Sequence, residues 1–288
     1  MVPYNLTGGI TLSLSAPSSS GLFSGLSSAF SLSGSLESSL IASDIALIAS
    51  IRGGEDSKAA NILLLEDLLD IADDYSDVLS FENFKSSLPE GKQFSPRDLL
   101  AIKRVVNKEI PLVVKANRAS DILALIDLAD RKQIVLVILG AAEGWIVANQ
   151  LSVANVPVIL EPINNLPGSF NSLGARLDNA ALLHNSGVKV LINSHETHNA
   201  YLSRQGAGIS VSYGLPWQEA LKGLSINIAD VFKIEKRGAI KESYIADLVV
   251  WNADPLEITS FVEKVYLSGK SFSVENRSMR LRDRYLNN

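Results

Sequence analysis

The chain has 288 residues, with 26 Lys and Arg against 31 Asp and Glu, a net charge of −5 and no cysteine. That acidic balance argues against a general binder of nucleic acid or anionic membrane, and without cysteine there are no disulfides, thiol nucleophiles or thiolate metal sites. No apolar run approaches the roughly 20 residues a bilayer crossing needs. The stretch from Met1 to Gly9 lacks the basic and long apolar regions of a signal peptide, so the expected location is cytoplasmic. A hydrophobic content of 47% suits a globular chain with one large domain and a small appendage.

In chain order, Ile10-Thr-Leu-Ser-Leu14 alternates apolar and polar residues and predicts a strand. Ser15 to Ser43 is rich in serine and glycine. Its recurring Leu22, Phe23, Leu26, Phe30, Leu32 and Leu36 predict a partly packed loop with short strands rather than a solvated tether. Asp44 to Ile51 is a second strand candidate. Lys58 to Tyr75 has helical periodicity, with Leu63, Leu64, Leu68, Leu69 and Ile71 expected on one face. Ser76 to Gln93 reads as a loop. Ser95 and Pro96 suit an N-cap and first helical position, for a helix to about Asn107.

From Ile110 strands and helices alternate. Strand 111–116 precedes helix 119–131, and strand 134–139 precedes helix 144–150. Strand 156–161 precedes helix 175–185, and strand 188–193 precedes helical material toward 217–224. The uninterrupted Val, Ile and Leu runs predict parallel strands buried on both faces. This pattern leaves a closed barrel and an open sheet as alternatives. Segments 246–251 and 264–267 predict antiparallel strands, with a hairpin at Ser268-Gly-Lys270. The tail from Arg277 holds four arginines and predicts an exposed helix, either a solvated face or an oligomer contact.

In α/β architectures of this kind, chemistry sits beyond the strands' C-terminal ends, and the unusual polar residues cluster there. They are Lys115, Asn117 and Arg118; Glu143; Glu161 and Asn165; and His195, Glu196, His198 and Asn199. Each has a bland alternative. Lys115 suits an ion pair with Glu143 or Glu161 as well as a catalytic cation. Glu196 suits a helix cap or a partner for Arg204 as well as an active-site carboxylate. His195 and His198 suit loop hydrogen bonding, and His184, on a helix, suits packing. No phosphate loop or nucleophile elbow occurs, and Gly206-Ala-Gly208 is too short to signal a dinucleotide site.

The C-terminal run Ile245-Ala-Asp-Leu-Val-Val-Trp-Asn-Ala-Asp-Pro-Leu256, followed by Val265-Tyr-Leu-Ser-Gly-Lys270, resembles the closing segment of the amidohydrolase superfamily, imidazolonepropionase-like subgroup. The run Leu160 to Ala181 and the His198-Asn-Ala stretch resemble the same subgroup. The resemblance favours the barrel and implies an α/β fold: a partial β/α barrel over 1–235, with remnant β-sandwich strands and a terminal helix over 236–288. It implies a hydrolase scaffold for a cyclic amide or related C–N bond, with a small-molecule substrate. The family norm is one or two divalent ions such as zinc, held by histidines after strands one, five and six and an aspartate after strand eight.

The motif departs here. His-x-His is absent, Lys115 stands at the strand-five position, Glu143 in the strand-six region, and Glu196 or His195 at the strand-eight aspartate. No metal or other cofactor is therefore expected from this chain. Glu196 is the expected general base and Lys115 the oxyanion stabiliser. Asn117, Arg118, Glu143, Glu161, Asn165, His195, His198 and Asn199 are the expected substrate contacts.

Two other readings follow from the same departures: a non-catalytic binding or structural relative, and one half of a split enzyme whose partner chain supplies a missing barrel strand. Gly9 to Leu14 resembles the family's second strand, so a barrel lacking its first strand is expected, with its open edges covered by the Ser-rich segment or another chain. A homo-oligomer is expected. No nucleic-acid or membrane partner is expected, although export of relatives would place the chain in the periplasm.

Overall fold

The computed structural model describes residues 2–18, 21–34, 39–52, 57–74, 94–194, 196 and 198–286. A seven-stranded sheet runs in chain order, β1 (Leu12–Ser15), β2 (Phe23–Ser31), β3 (Leu40–Ser50), β4 (Leu112–Ala116), β5 (Leu136–Gly140), β6 (Val158–Leu160) and β7 (Val190–Ile192). Strands β4 to β7 are parallel neighbours, as the apolar runs predict, and β3 also pairs parallel with β4. The result is an α/β half-barrel, a curled sheet whose order ends at β1 and β7. The first three strands depart from the expectation: β1, β2 and β3 form an antiparallel meander, so Leu12 to Ser15 is not a β/α barrel strand. The Ser-rich segment holds strand, as expected, but over longer stretches: it supplies all of β2 and the start of β3.

Helices α2 (Lys58–Asp74), α3 (Pro96–Val106) and α4 (Ala119–Lys132) pack on the convex face. On α2 the buried stripe is Leu64, Leu65, Leu68, Leu69 and Ala72, while Leu63 turns outward at 62% exposure. The expected face was therefore off by one position at its start. Helix α3 begins with a reciprocal cap, Asp98 N–H donating to Ser95 Oγ at 3.3 Å and Ser95 N–H to Asp98 Oδ2 at 2.7 Å. Such a box satisfies two of the backbone donors that a helix start leaves open. The loop expected over 76–93 lies outside the described residues.

Beyond β5 the chain continues through a 3-10 turn (Gly144–Val147) into α5 (Ala148–Val153), and beyond β6 into α6 (Asn179–Asn185). After β7 come α7 (Leu202–Ser212), α8 (Trp217–Gly223) and α9 (Ile226–Val231). The Val190 carbonyl points away from β6, because the neighbouring Lys189 carbonyl is the one accepting from Val158 N–H. Asn227 Nδ2 donates to that outward Val190 carbonyl at 2.9 Å, so the chain itself covers part of the β7 edge. The segment through α9 then packs Ala229, Phe232 and Ile234 into the concave face against Val113, Val137 and Leu191. That cluster fills part of the concave face.

A separate antiparallel sheet joins β8 (Leu248–Trp251), β9 (Val262–Leu267) and β10 (Lys270–Phe272), with the expected hairpin at Ser268 and Gly269. Its core includes Leu6 from an N-terminal helix, α1 (Val2–Leu6), which the sequence pattern did not signal. Asp247 pairs with Arg237 in a nearly buried ion pair and accepts from Ser268 N–H at 2.8 Å, closing the hairpin. Asp254 accepts Trp217 Nε1–H at 3.0 Å and Leu256 N–H at 2.9 Å. Both carboxylates of the diagnostic C-terminal motif are therefore structural. The last helix, α10 (Arg277–Leu286), has no buried residue.

Candidate functional site

Side chains alternate across a sheet, and the ladder fixes which ones meet. Ser50 on β3, Lys115 on β4 and Leu139 on β5 are register partners, and Leu139 continues through Ile159 to Leu191. Val113 and Leu191 belong to the concave cluster, so Lys115, two residues after Val113, lies on the concave face as well. The Lys115 layer is therefore the last inward-facing layer of β4 before its C-terminal end, and Leu139, Ile159 and Leu191 of that layer pack with the cluster of Phe232 and Ile234. Asn117, Glu161 and Asn193 follow the same strands at the rim. The Lys115 side chain is half-buried beside Ser50 and Leu139, a setting in which it interacts strongly with any anionic or polarised group brought beside it.

Glu143 has a structural task that the sequence did not indicate. Helix α4 starts at Arg118, which offers no capping oxygen. Glu143 Oε2 accepts Ala119 N–H at 3.0 Å, and Glu143 N–H donates to the Asn117 carbonyl at 2.8 Å. Asn117 Oδ1 stands 2.5 Å from where a Cβ on Gly140 would lie, and Gly140 has φ 101°. Only glycine allows β5 to turn there with Asn117 in place. One carboxylate oxygen of Glu143 thus holds a helix start, which removes the Lys115–Glu143 ion pair as an account of that oxygen.

The loop after β6 is tied to the same knot. Asn165 Nδ2 donates to the Arg176 carbonyl. Trp145 Nε1–H donates to the Gly174 carbonyl at 2.8 Å, with the Arg176 guanidinium 4.6 Å above the Trp145 ring. Arg176 also grips Asp178 through two bonds at 2.5 and 2.6 Å, holding the Asp178 carboxyl below its usual pKa. Asn165 is therefore a loop anchor first.

After β7, Glu196 and His198 are exposed and Asn199 is half-exposed. Ser194 Oγ bonds the Ala200 carbonyl at 3.3 Å, and the Asn5 side-chain oxygen accepts Tyr201 N–H at 3.3 Å. His195 lies outside the described residues. The expected Glu196–Arg204 contact is not the arrangement of Arg204, which donates to the carbonyls of Pro255 and Glu257 instead. The anchoring residues Gly174 and Asn5 escaped the sequence reading, because nothing local marks a residue whose partner is 29 or 196 positions away.

Lys115 thus lies near the C-terminal end of β4, and Asn117, Arg118, Glu143, Glu161, Asn165, Glu196, His198 and Asn199 follow the C-terminal ends of four neighbouring strands. A cavity of about 720 Å³ lies elsewhere, around the N-terminal end of β7 beside Lys189 and Lys222.

The chain belongs to the Amidohydrolase family, which matches residues 109–274, more than half of its length. An amidohydrolase from Thermotoga maritima MSB8 shares the fold, with a TM-score of 0.81 at 22% identity over 94% of this chain and 74% of that one. Amidohydrolase tasK of Hapsidospora irregularis is 30% identical over 90 residues, 31% of this chain, and the chain spans only 9% of that protein.

Members of the family usually bind metal, and a zinc site needs three or four converging donors. Among the described residues no three of His, Asp and Glu are grouped to hold an ion. One oxygen of Glu143 is bonded to Ala119 N–H, and a protonated Lys115 repels a cation. The described donor set does not fit a resident divalent ion.

Proposed function

We propose that the chain uses the amidohydrolase scaffold to hold a small molecule at the C-terminal rim, carbonyl group against Lys115, and to hydrolyse a cyclic amide or related C–N bond. The supporting observation is Lys115 itself, a cation on the concave face in the last inward-facing layer before the C-terminal end of β4. In this reading Glu196 takes a proton from water and the water oxygen bonds to the amide carbon. Lys115 stabilises the charge that develops on the carbonyl oxygen. The C–N bond then breaks as nitrogen receives the proton from Glu196. Asn117, Arg118, Glu161, His198 and Asn199 are the surrounding contacts. The imidazolonepropionase-like motifs support a cyclic substrate.

A second reading is a non-catalytic binding relative, favoured by the use of Glu143 as a helix cap. The two are separated by assaying a panel of lactams, cyclic imides and imidazolones with purified protein whose metal content is measured. Hydrolysis is expected to survive chelation and to fall by about 100-fold or more in Lys115→Met and in Glu196→Gln. Hydrolysis that needs added metal and persists in Lys115→Met overturns the proposal. Binding of a panel member to wild type, lost in Lys115→Met, without turnover selects the second reading.

A further inference from the structure

Helix α10 has ten residues, none of them buried. Isolated helices shorter than about 12–15 residues are marginal in water, so this helix lacks the packed face that normally stabilises one. Its start is nevertheless fixed to the body: Asn276 Oδ1 accepts Met279 N–H at 3.0 Å, and Asn276 Nδ2 donates to Thr7 Oγ1 at 2.9 Å. Beyond that anchor, Arg277, Arg280 and Arg284 recur at helical spacing on one side, all exposed. Leu281 and Tyr285, 38% and 73% exposed, flank them one turn apart. The helix carries +3, which leaves −8 on the rest of the chain.

A complementary surface exists on the same molecule. Along α2, exposed Leu63 is followed at helical spacing by exposed Asp67, Asp70 and Asp74. On the adjacent α4 exposed Leu123 is followed by Asp127 and Asp130. Lys132 pairs with Asp70 at 2.5 Å and Arg131 with Asp127 at 3.0 Å. Asp67, Asp74 and Asp130 stand outside those pairs. Both helices thus present a leucine followed by carboxylates, and α10 presents apolar side chains beside arginines, whose planar forks suit carboxylates. Helix α10 is tethered beside Thr7, near the small sheet, whereas α2 and α4 cover the convex face of the large one.

We propose that α10 docks on the carboxylate-lined face of α2 and α4 in a second copy of this chain. A two-fold arrangement makes the contact reciprocal, each copy giving its helix and receiving the other's. The interface is remote from the rim and independent of any activity there.

Sedimentation velocity of the full chain over a concentration series, at low and at high salt, tests it. Self-association is expected at low salt and is expected to weaken about tenfold or more at high salt, where the screening length shrinks to a few ångström. One variant combines Arg277→Glu, Arg280→Glu and Arg284→Glu; the other combines Asp67→Arg, Asp74→Arg and Asp130→Arg. Each is expected to associate at least about tenfold more weakly than wild type, and mixing the two is expected to restore a mixed dimer. Circular dichroism and melting check that both variants fold, and the wild-type salt series stands without them. A wild-type chain that stays monomeric, association indifferent to salt, or a mixture that fails to pair overturns the proposal.

Discussion

Arg204 lies over Trp251, its guanidinium carbon 4.8 Å from the ring centroid, and donates to the carbonyls of Pro255 at 2.8 Å and Glu257 at 2.6 Å. The arginine comes from α7, at the large sheet; the tryptophan and the two carbonyls come from the small sheet and the loop leaving it. The Trp251-Asn-Ala-Asp-Pro-Leu256 stretch is therefore a clasp between the two sheets. Trp217 strengthens it by donating to Asp254. Burial pulls the Arg204 pKa down, so the carbonyl array and the ring face must offset the desolvation of its charge.

Arg204→Ala is expected to lower the unfolding free energy by about 2–4 kcal/mol, the range for charged hydrogen bonds plus a cation–π contact. Arg204→Lys is expected to recover less than half of that, because Nη1 alone serves the Pro255 and Glu257 carbonyls while Nη2 reaches the Ser260 carbonyl at 3.4 Å and the planar group lies on Trp251, which one ammonium cannot reproduce together. Denaturant unfolding measures both. A lysine variant as stable as wild type removes the clasp as the explanation.

Glu66 accepts from Arg131, and that bond holds its pKa below the ordinary 4.5. A depressed carboxylate contributes stability that is fully present above the unfolded-state value and is lost as pH falls through the folded-state one. The wild type is thus expected to lose stability with acid more steeply than Glu66→Gln below about pH 4.5. Unfolding curves across that window decide it, and parallel acid limbs contradict the prediction.

Strands β4 to β7 were legible because buried parallel strands are unbroken apolar runs, such as Val113-Val114 or Val137-Ile138. Strand β2 was legible only as short strands in a partly packed loop, since Ser24, Gly25, Ser27 and Ser28 dilute its apolar residues. Its pairing with β3 shifts register at three places, which destroys the alternation that betrays a strand. Helix α7 was masked by Gly206 and Gly208, poor helix formers kept there by packing against Pro162 and the Leu256 carbonyl. For the candidate site, strand-end position marked Lys115 and Glu143 alike. Only the tertiary bond from Ala119 to Glu143 distinguishes a helix cap from a side chain available to a ligand.

That cap has its own test. Glu143→Ala leaves Ala119 N–H without its acceptor and is expected to cost about 1 kcal/mol, the usual worth of a helix N-cap. Glu143→Gln keeps an acceptor oxygen and is expected to stay close to wild type. Hydrogen exchange at the Ala119 amide reports the bond directly. Equal losses in the two variants would mean that the charge, and not the hydrogen bond, is what matters.

Gly208 sits in the middle of α7, where alanine is intrinsically better by about 1 kcal/mol. A Cβ at this position, however, would lie 2.5 Å from the Leu256 carbonyl oxygen. Backbone cannot swing aside as a side chain can, and Arg204 holds the carbonyls on either side of it. Overpacking of this kind costs about 1–3 kcal/mol, so Gly208→Ala is expected to be destabilising despite the propensity gain. The two effects share one loop and should couple. In an Arg204→Ala background the loop is released to move, and the penalty of Gly208→Ala is expected to shrink by about 0.5 kcal/mol or more, as contacting sites do. A double-mutant cycle on unfolding free energies measures that coupling. Additive losses, or a Gly208→Ala protein more stable than wild type, would show that the loop is not held against α7 as the clasp requires.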